Sequence, residues 1–222
     1  MKKSIEQCLK VCNGQIGQVF PNFAASKLQS LDLSLNNPKL TSEIVSDTAR
    51  FSETIDSLLL GRPGIGGFLE HRSLYQRSPQ YWGEEPRCIH LGVDIWTAAY
   101  TQVYTPWPGK VHSFRDNRGY GDYGPTIILK HIIEGMVFFT LYGHLSRRSL
   151  NNLRFGQTID KNQPVGELGD FPENGDWPPH LHFQVMTDLL GNVGDFPGVV
   201  TQAEQDFYET ICIDPQLLLT FK

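Results

Sequence analysis

The apolar positions change their period partway along the chain. From residue 1 to about 60 they recur at loosely helical spacing: Ser4 to Val11 is amphipathic, and between Ser42 and Leu60 the residues Ile44, Ala49, Phe51, Ile55 and Leu58 repeat as a helix face would. The segment GRPGIGGF (61–68) then breaks any helix and marks a boundary, or a loop that closely approaches another part of the chain. From about residue 87 the pattern becomes a series of short apolar runs, CIHLGVDIW, TQVYTP, GKVHSF, TIILKHII, MVFFTLYGHL and LHFQV, separated by Gly, Pro and Asn. That texture predicts antiparallel strands. Two turns are explicit, Trp107-Pro108-Gly109-Lys110 and the hairpin connection Ile133-Glu134-Gly135-Met136. A helical stretch near Gln202 to Tyr208 and a short closing segment, ICIDPQLLLTFK, complete the pattern, which contains no internal repeat. The expectation is a mainly β fold with hairpins, organised as an N-terminal preface of mixed or helical character (1–86) and a β domain (87–222).

Composition narrows the function. With 222 residues, 40% of them hydrophobic and 11% aromatic, the chain can bury one substantial core. Lys and Arg number 19 against 24 Asp and Glu, a formal charge of −5, which gives no electrostatic footprint for nucleic acid or anionic lipid. The cysteines at 8, 12, 88 and 212 form no CxxC pair and read as small buried hydrophobes. No stretch approaches the roughly 20 apolar residues of a membrane span. Lys2 and Lys3 are followed by Glu6, Gln7 and Lys10 rather than by an apolar run, so no export signal is visible and the expected compartment is the cytoplasm.

The candidate chemistry lies in the histidines at 71, 90, 112, 131, 144, 180 and 182. In HLHFQV, His180 and His182 are two residues apart in an expected strand, so both side chains leave the same face. In CIHLGVDIW, His90 and Asp94 are four apart, an even spacing that keeps both on one face, with Gly92 free to bend the backbone between them. Alone, a single His is more often a hydrogen-bonded core residue, and HxxxD is a weak signal. Together they supply two imidazoles and a carboxylate, the three-ligand set that leaves zinc an open position for a hydrolytic water. The remaining His of the strand pair and His144 in YGHL are candidates for proton transfer and oxyanion stabilisation, with Gly143 leaving room for a substrate backbone.

The segments IHLGVDI, LYGHLS and PHLHFQV, in that order, resemble the three motifs of the lysostaphin/LytM family of zinc peptidases, the M23 family. The resemblance covers about residues 87–187. It implies a two-sheet antiparallel β core with a groove, and a zinc endopeptidase acting on peptide bonds such as those of peptidoglycan cross-links or stem peptides. It further implies Zn2+ ligation by His90, Asp94 and His182, and assistance to catalysis by His144 and His180. The chain departs from the family pattern at the bulky loop Asn174 to Pro179 before HxH, and at Gln184, where many relatives carry Glu.

An alternative reading is a non-catalytic metal- or peptide-binding module of the same fold. The region 61–86 directly precedes the first motif and is placed to fold across the groove, bringing Glu70 or His71 within reach of the metal. His131 is assigned a structural role because its mid-strand position gives it no clear access to the metal, and Trp177, beside HxH, is the aromatic best placed as a substrate platform.

Overall fold

Both amphipathic stretches of the N-terminal region form helices. The computed structural model describes residues 1–221, beginning with α1 (Lys2–Val11), which buries Ile5 and Leu9. The 42–60 stretch is two helices, α2 (Ser42–Ser46) and α3 (Thr48–Leu59). Asp47 makes the break: its backbone is extended and its carboxylate accepts from the N–H groups of Ala49 and Arg50, capping α3. α3 ends where Leu60 turns left-handed, and its stripe of Phe51, Ile55 and Leu59 is buried.

Thirteen strands form among the described residues, the longer ones in the apolar runs. They are β1 (Gln29–Ser30), β2 (Gly64–Gly66), β3 (Ile89–His90), β4 (Val93–Trp96), β5 (Gln102–Tyr104), β6 (Gly109–Asn117), β7 (Gly124–Ile133), β8 (Met136–Gly143), β9 (Thr158–Ile159), β10 (Pro164–Glu167), β11 (His180–Met186), β12 (Val199–Val200) and β13 (Cys212–Ile213). The main sheet has the order β1-β2-β4-β11-β8-β7-β6-β9, with β13 added beside β11; β10 with β5 and β12 with β3 form two-stranded sheets. All of these pairings are antiparallel except β1 with β2. The mainly β, hairpin-built architecture expected from the sequence is thus the observed one. Between β7 and β8 the turn residues Glu134 and Gly135 both have positive φ, 47° and 75°, as the two-residue type I′ hairpin requires. The expected helix near residues 202–208 is α4 (Gln205–Glu209).

The glycine-rich stretch 61–68 is more than a break. Its Gly64–Gly66 portion is β2, which pairs with β4 and places Gly66 opposite Asp94. Residues on both sides of position 86 therefore share one sheet. Both faces of that sheet are covered, as the alternation on β7 shows: Ile127 and Leu129 join a core with α1, whereas Ile128 joins a second core with Leu141, Met186 and Phe196. A third cluster joins α2 and α3 to the sheet through Val45, Phe51, Leu74, Tyr75, Trp96 and Trp177.

His131 is a core residue, as its mid-strand position implied. Its Nδ1 donates to the Pro108 carbonyl at 2.9 Å and its Nε2 accepts from the Thr140 hydroxyl at 2.7 Å. Burial pushes it from 6.5 down to about 4, so it is neutral in the fold but takes up a proton readily once unfolded. A depressed histidine contributes stability that is complete above pH 6.5 and lost as pH falls toward 4. Between about pH 7 and pH 5 the wild type should lose about 2 kcal/mol more stability than a His131→Gln variant, measured by urea unfolding. Equal losses in the two proteins would exclude this role.

Candidate metal centre

Strand register assembles the site. On β11, His182 lies opposite Asp94 of β4 on one side and opposite Gly143 of β8 on the other, while His180 lies opposite Trp96. His90 ends β3, after which the chain bends through Leu91 and Gly92 into β4. A Cβ at Gly92 would stand 2.6 Å from His182 Cε1, so the close approach of the two motifs needs glycine there.

His90, Asp94 and His182 converge, each offering a donor atom within 4.8 Å of the others, and all three are buried. His90 Nε2 and His182 Nδ1 are 3.0 Å apart, and each is 3.3 Å from Asp94 Oδ1. The outer hydrogen bonds fix the protons. His90 Nδ1 faces the Gly67 carbonyl at 3.0 Å, which can only accept, so the proton sits on Nδ1. Gln184 donates its amide to the Pro197 carbonyl, which turns Oε1 toward His182 Nε2 at 2.9 Å and places that ring's proton on Nε2. Two imidazole lone pairs and a carboxylate oxygen therefore point at one spot. Asp94 Oδ1 is buried without a hydrogen-bond partner. Such a convergence is repulsive by itself and suits a cation. Burial, reinforced by the nearby Arg72 guanidinium, pushes His90 down to about 4, which keeps the ring neutral. Burial alone would raise Asp94, but His90 and Arg72 hold it well below the usual carboxylate value.

Beside this cluster, His144 and His180 face each other with ring centroids 4.2 Å apart. His180 Nδ1 donates to the Pro178 carbonyl at 2.7 Å and His144 Nδ1 to the Asn174 carbonyl at 2.8 Å, so both Nε2 atoms are free acceptors. His180 Nε2 lies 3.9 Å from Asp94 Oδ1, and its ring stacks on Trp96 at 4.1 Å. Burial lowers both histidines, His180 to about 4, and for His144 the neighbouring His180 adds to the lowering. His144 holds a left-handed backbone, φ 61°, a conformation uncommon outside glycine though better tolerated by histidine than by most residues.

The five residues named from the sequence are thus brought together, but the surroundings differ from expectation. The room beside Gly143 is filled by Tyr123: a Cβ on Gly143 would come within 2.6 Å of its ring, and one on Gly198 would collide with its hydroxyl. The Tyr123 hydroxyl lies 3.3 Å from His182 Nε2, and the residue lines the cavity at the site. Neither Glu70 nor His71 reaches the metal position. Glu70 bonds the Arg72 guanidinium at 2.7 Å and the Leu33 N–H at 3.1 Å, while His71 is exposed. Trp177 is buried between Phe51 and Tyr75, with the Arg77 guanidinium 4.7 Å from its ring, and is part of the roof instead of an open platform. Under this roof the cavity beside Asp94, His144 and His180 measures about 40 Å³. That is room for water molecules, far below the several hundred Å³ of a ligand pocket. Reading the sequence missed Arg72 and Tyr123; the glycines flanking Tyr123 at 121 and 124 were a faint signal of a crowded aromatic.

Residues 88–193, just under half of the chain, match the family model described as Peptidase family M23. No curated protein matched the chain. Among solved structures, lysostaphin from Staphylococcus simulans is 28% identical over 59% of this chain and 43% of its own, with a TM-score of 0.39. The catalytic domain of lysostaphin from the same organism is 23% identical over 66% of this chain and 96% of its own, with a TM-score of 0.41. A zinc-containing peptidase from Vibrio cholerae is 27% identical over 44% of this chain and 27% of its own, with a TM-score of 0.35. The chain thus spans less than half the length of whole lysostaphin and of the Vibrio peptidase. Residues 88–193, which carry all three histidine motifs, are similar to peptidase family M23.

Proposed function

We propose that the protein is a zinc-dependent endopeptidase that hydrolyses peptide bonds, with those of peptidoglycan cross-links or stem peptides as the expected substrate class. The observation that carries this reading is the convergence of two deprotonated imidazole nitrogens and the unpartnered Asp94 Oδ1, the donor set of a hydrolytic zinc site with an open position. A zinc ion held by His90, Asp94 and His182 supplies Lewis acidity that polarises a carbonyl and makes water acidic near neutral pH. The chain's own residues do the rest. His180 and His144, each oriented by a carbonyl at Nδ1, present Nε2 to take a proton from the attacking water and return it to the leaving amine. The Tyr123 hydroxyl, 3.3 Å from His182 Nε2, packs on the outer edge of that ring and helps to hold it in place.

The small cavity supports a second reading, a module whose covered groove binds metal without turning over substrate. In the first reading, the N-terminal preface packs over the groove and must shift for substrate to enter. Elemental analysis of the purified protein beside His90→Ala and Asp94→Ala variants is the first test, followed by a peptide and peptidoglycan hydrolysis assay with and without chelator. About one zinc per chain, lost in both variants, with chelator-sensitive hydrolysis, is the expected result. Zinc binding with no hydrolysis of any substrate favours the module, and protein that stays metal-free in added zinc removes both readings.

A further inference from the structure

The family match begins at residue 88, yet both ligands of the first motif are held from outside it. Gly66 stands opposite Asp94. Beyond it the chain runs alongside the motif: the Leu69 N–H donates to the His90 carbonyl at 2.8 Å, the His90 N–H to the Glu70 carbonyl at 3.1 Å, and the Arg72 N–H to the Cys88 carbonyl at 2.8 Å. This run supplies the Gly67 carbonyl to His90 Nδ1 and brings Arg72 against the far side of Asp94.

The Arg72 side chain is 1% exposed. Its Nη1 donates to Asp94 Oδ2 at 2.5 Å and to the Tyr75 hydroxyl at 3.1 Å, and its Nε donates to Glu70 Oε2 at 2.7 Å. A Cβ on Gly66 would come within 3.0 Å of Nη2, so the glycine leaves space for the guanidinium. A buried ion triad of this kind is a poor device for stability alone, because desolvation consumes most of the Coulombic gain. Its geometry does something else. With Oδ2 engaged by Arg72, Asp94 has only Oδ1 to turn toward His90 and His182, and that oxygen has no other partner. Glu70 neutralises the guanidinium, so Arg72 orients the carboxylate without placing an uncompensated positive charge beside the metal position.

Resting on the zinc reading above, we infer that Arg72, braced by Glu70, is a positioning residue that presents Asp94 to the metal through a single oxygen. The residues that make the centre bind well therefore include a pair outside the three histidine motifs.

The test compares zinc affinity, by competition with a chromophoric chelator, for the full chain and its Arg72→Met, Arg72→Lys, Glu70→Gln and Asp94→Ala variants, together with the visible spectra of the cobalt-substituted proteins. Arg72→Met and Glu70→Gln should each weaken zinc binding by about 10- to 100-fold, and Arg72→Lys by less, since it keeps the charge but loses the fork. The cobalt bands should weaken in Arg72→Met as Asp94 becomes free to offer both oxygens. Should Arg72→Met fail to fold, Glu70→Gln, which leaves Arg72 in place, answers the question. Affinities for Glu70→Gln and any folded Arg72 variant within about twofold of wild type, with binding still lost in Asp94→Ala, would overturn the inference and leave the zinc reading standing. A weakened affinity with wild-type cobalt bands in every folded variant would also overturn it, since general loosening does not alter coordination. Absence of zinc binding in the wild type removes both.

Discussion

Replacing His180 by alanine is expected to lower the rate of peptide hydrolysis by about 10²- to 10⁴-fold while zinc content stays at the wild-type level. The separation follows from geometry. The donor atoms that converge belong to His90, Asp94 and His182, and His180 contributes none of them, its Nε2 lying 3.9 Å from Asp94 Oδ1. What the substitution removes is a proton acceptor already locked in one tautomer by the Pro178 carbonyl. For His144 the cleaner change is to asparagine, because the left-handed backbone at this position suits Asn better than Ala. Since the two rings are in contact, their effects should not add, and the double variant should be little worse than either single one. Single-turnover rates measured beside metal content decide the matter. Unchanged hydrolysis in both variants would end the proposed roles, and loss of zinc in His180→Ala would reassign that residue to the ligand set.

A second large effect is expected from Phe51→Ala, far from the motifs in sequence. Phe51 is fully buried, with its ring edge-on to Trp96 and Trp177 at centroid distances of 6.2 and 6.4 Å. It ties α3 to the two tryptophans that stand over His180 and His144. Removing the ring should cost about 3–5 kcal/mol, the usual range for a buried phenylalanine, and most of the loss should fall on the helical layer. If that layer is what keeps substrate out, hydrolysis of a short peptide should rise in the variant even as its melting temperature drops. Amide exchange over Thr48–Leu59 should quicken together with it. Activity that falls in proportion to stability would show instead that the layer supports the site and does not gate it.

The three converging donors, His90, Asp94 and His182, were legible as neighbours because strand geometry is local. A spacing of two in HLH and of four in HLGVD fixes the face on which each side chain leaves, and the register of β11 with β4 preserves that arrangement. The hairpin at Glu134 and Gly135 was readable for the same reason. Arg72 was not, because its meaning depends on β2 pairing with β4 across nearly 30 positions of sequence, and a charged residue just past a glycine-rich stretch looks like surface until that pairing is known. The covering of the groove was also hidden. Trp177 and Phe51 carry no mark of being neighbours, and only the packing of α3 on the sheet shows that an aromatic beside HxH belongs to a roof. Gln184 stands out in the sequence, yet its service in fixing the His182 tautomer depends on the Pro197 carbonyl, which the fold brings to it.

Helix α1 packs in a different core from the one that roofs the site, against the tail of the chain. The Lys2 ammonium donates to the Glu209 carbonyl at 2.5 Å, and the Thr220 hydroxyl to the Gly17 carbonyl at 2.8 Å. The two ends are thereby stitched to each other. In mechanical terms, a pull applied between residues 1 and 221 loads the stitches at Lys2 and Thr220 first, and tension from the C-terminal side reaches β11 through β13 before it reaches β4. A tether fixed at the N-terminal end would meet α1 and these stitches before the strands that carry the histidines.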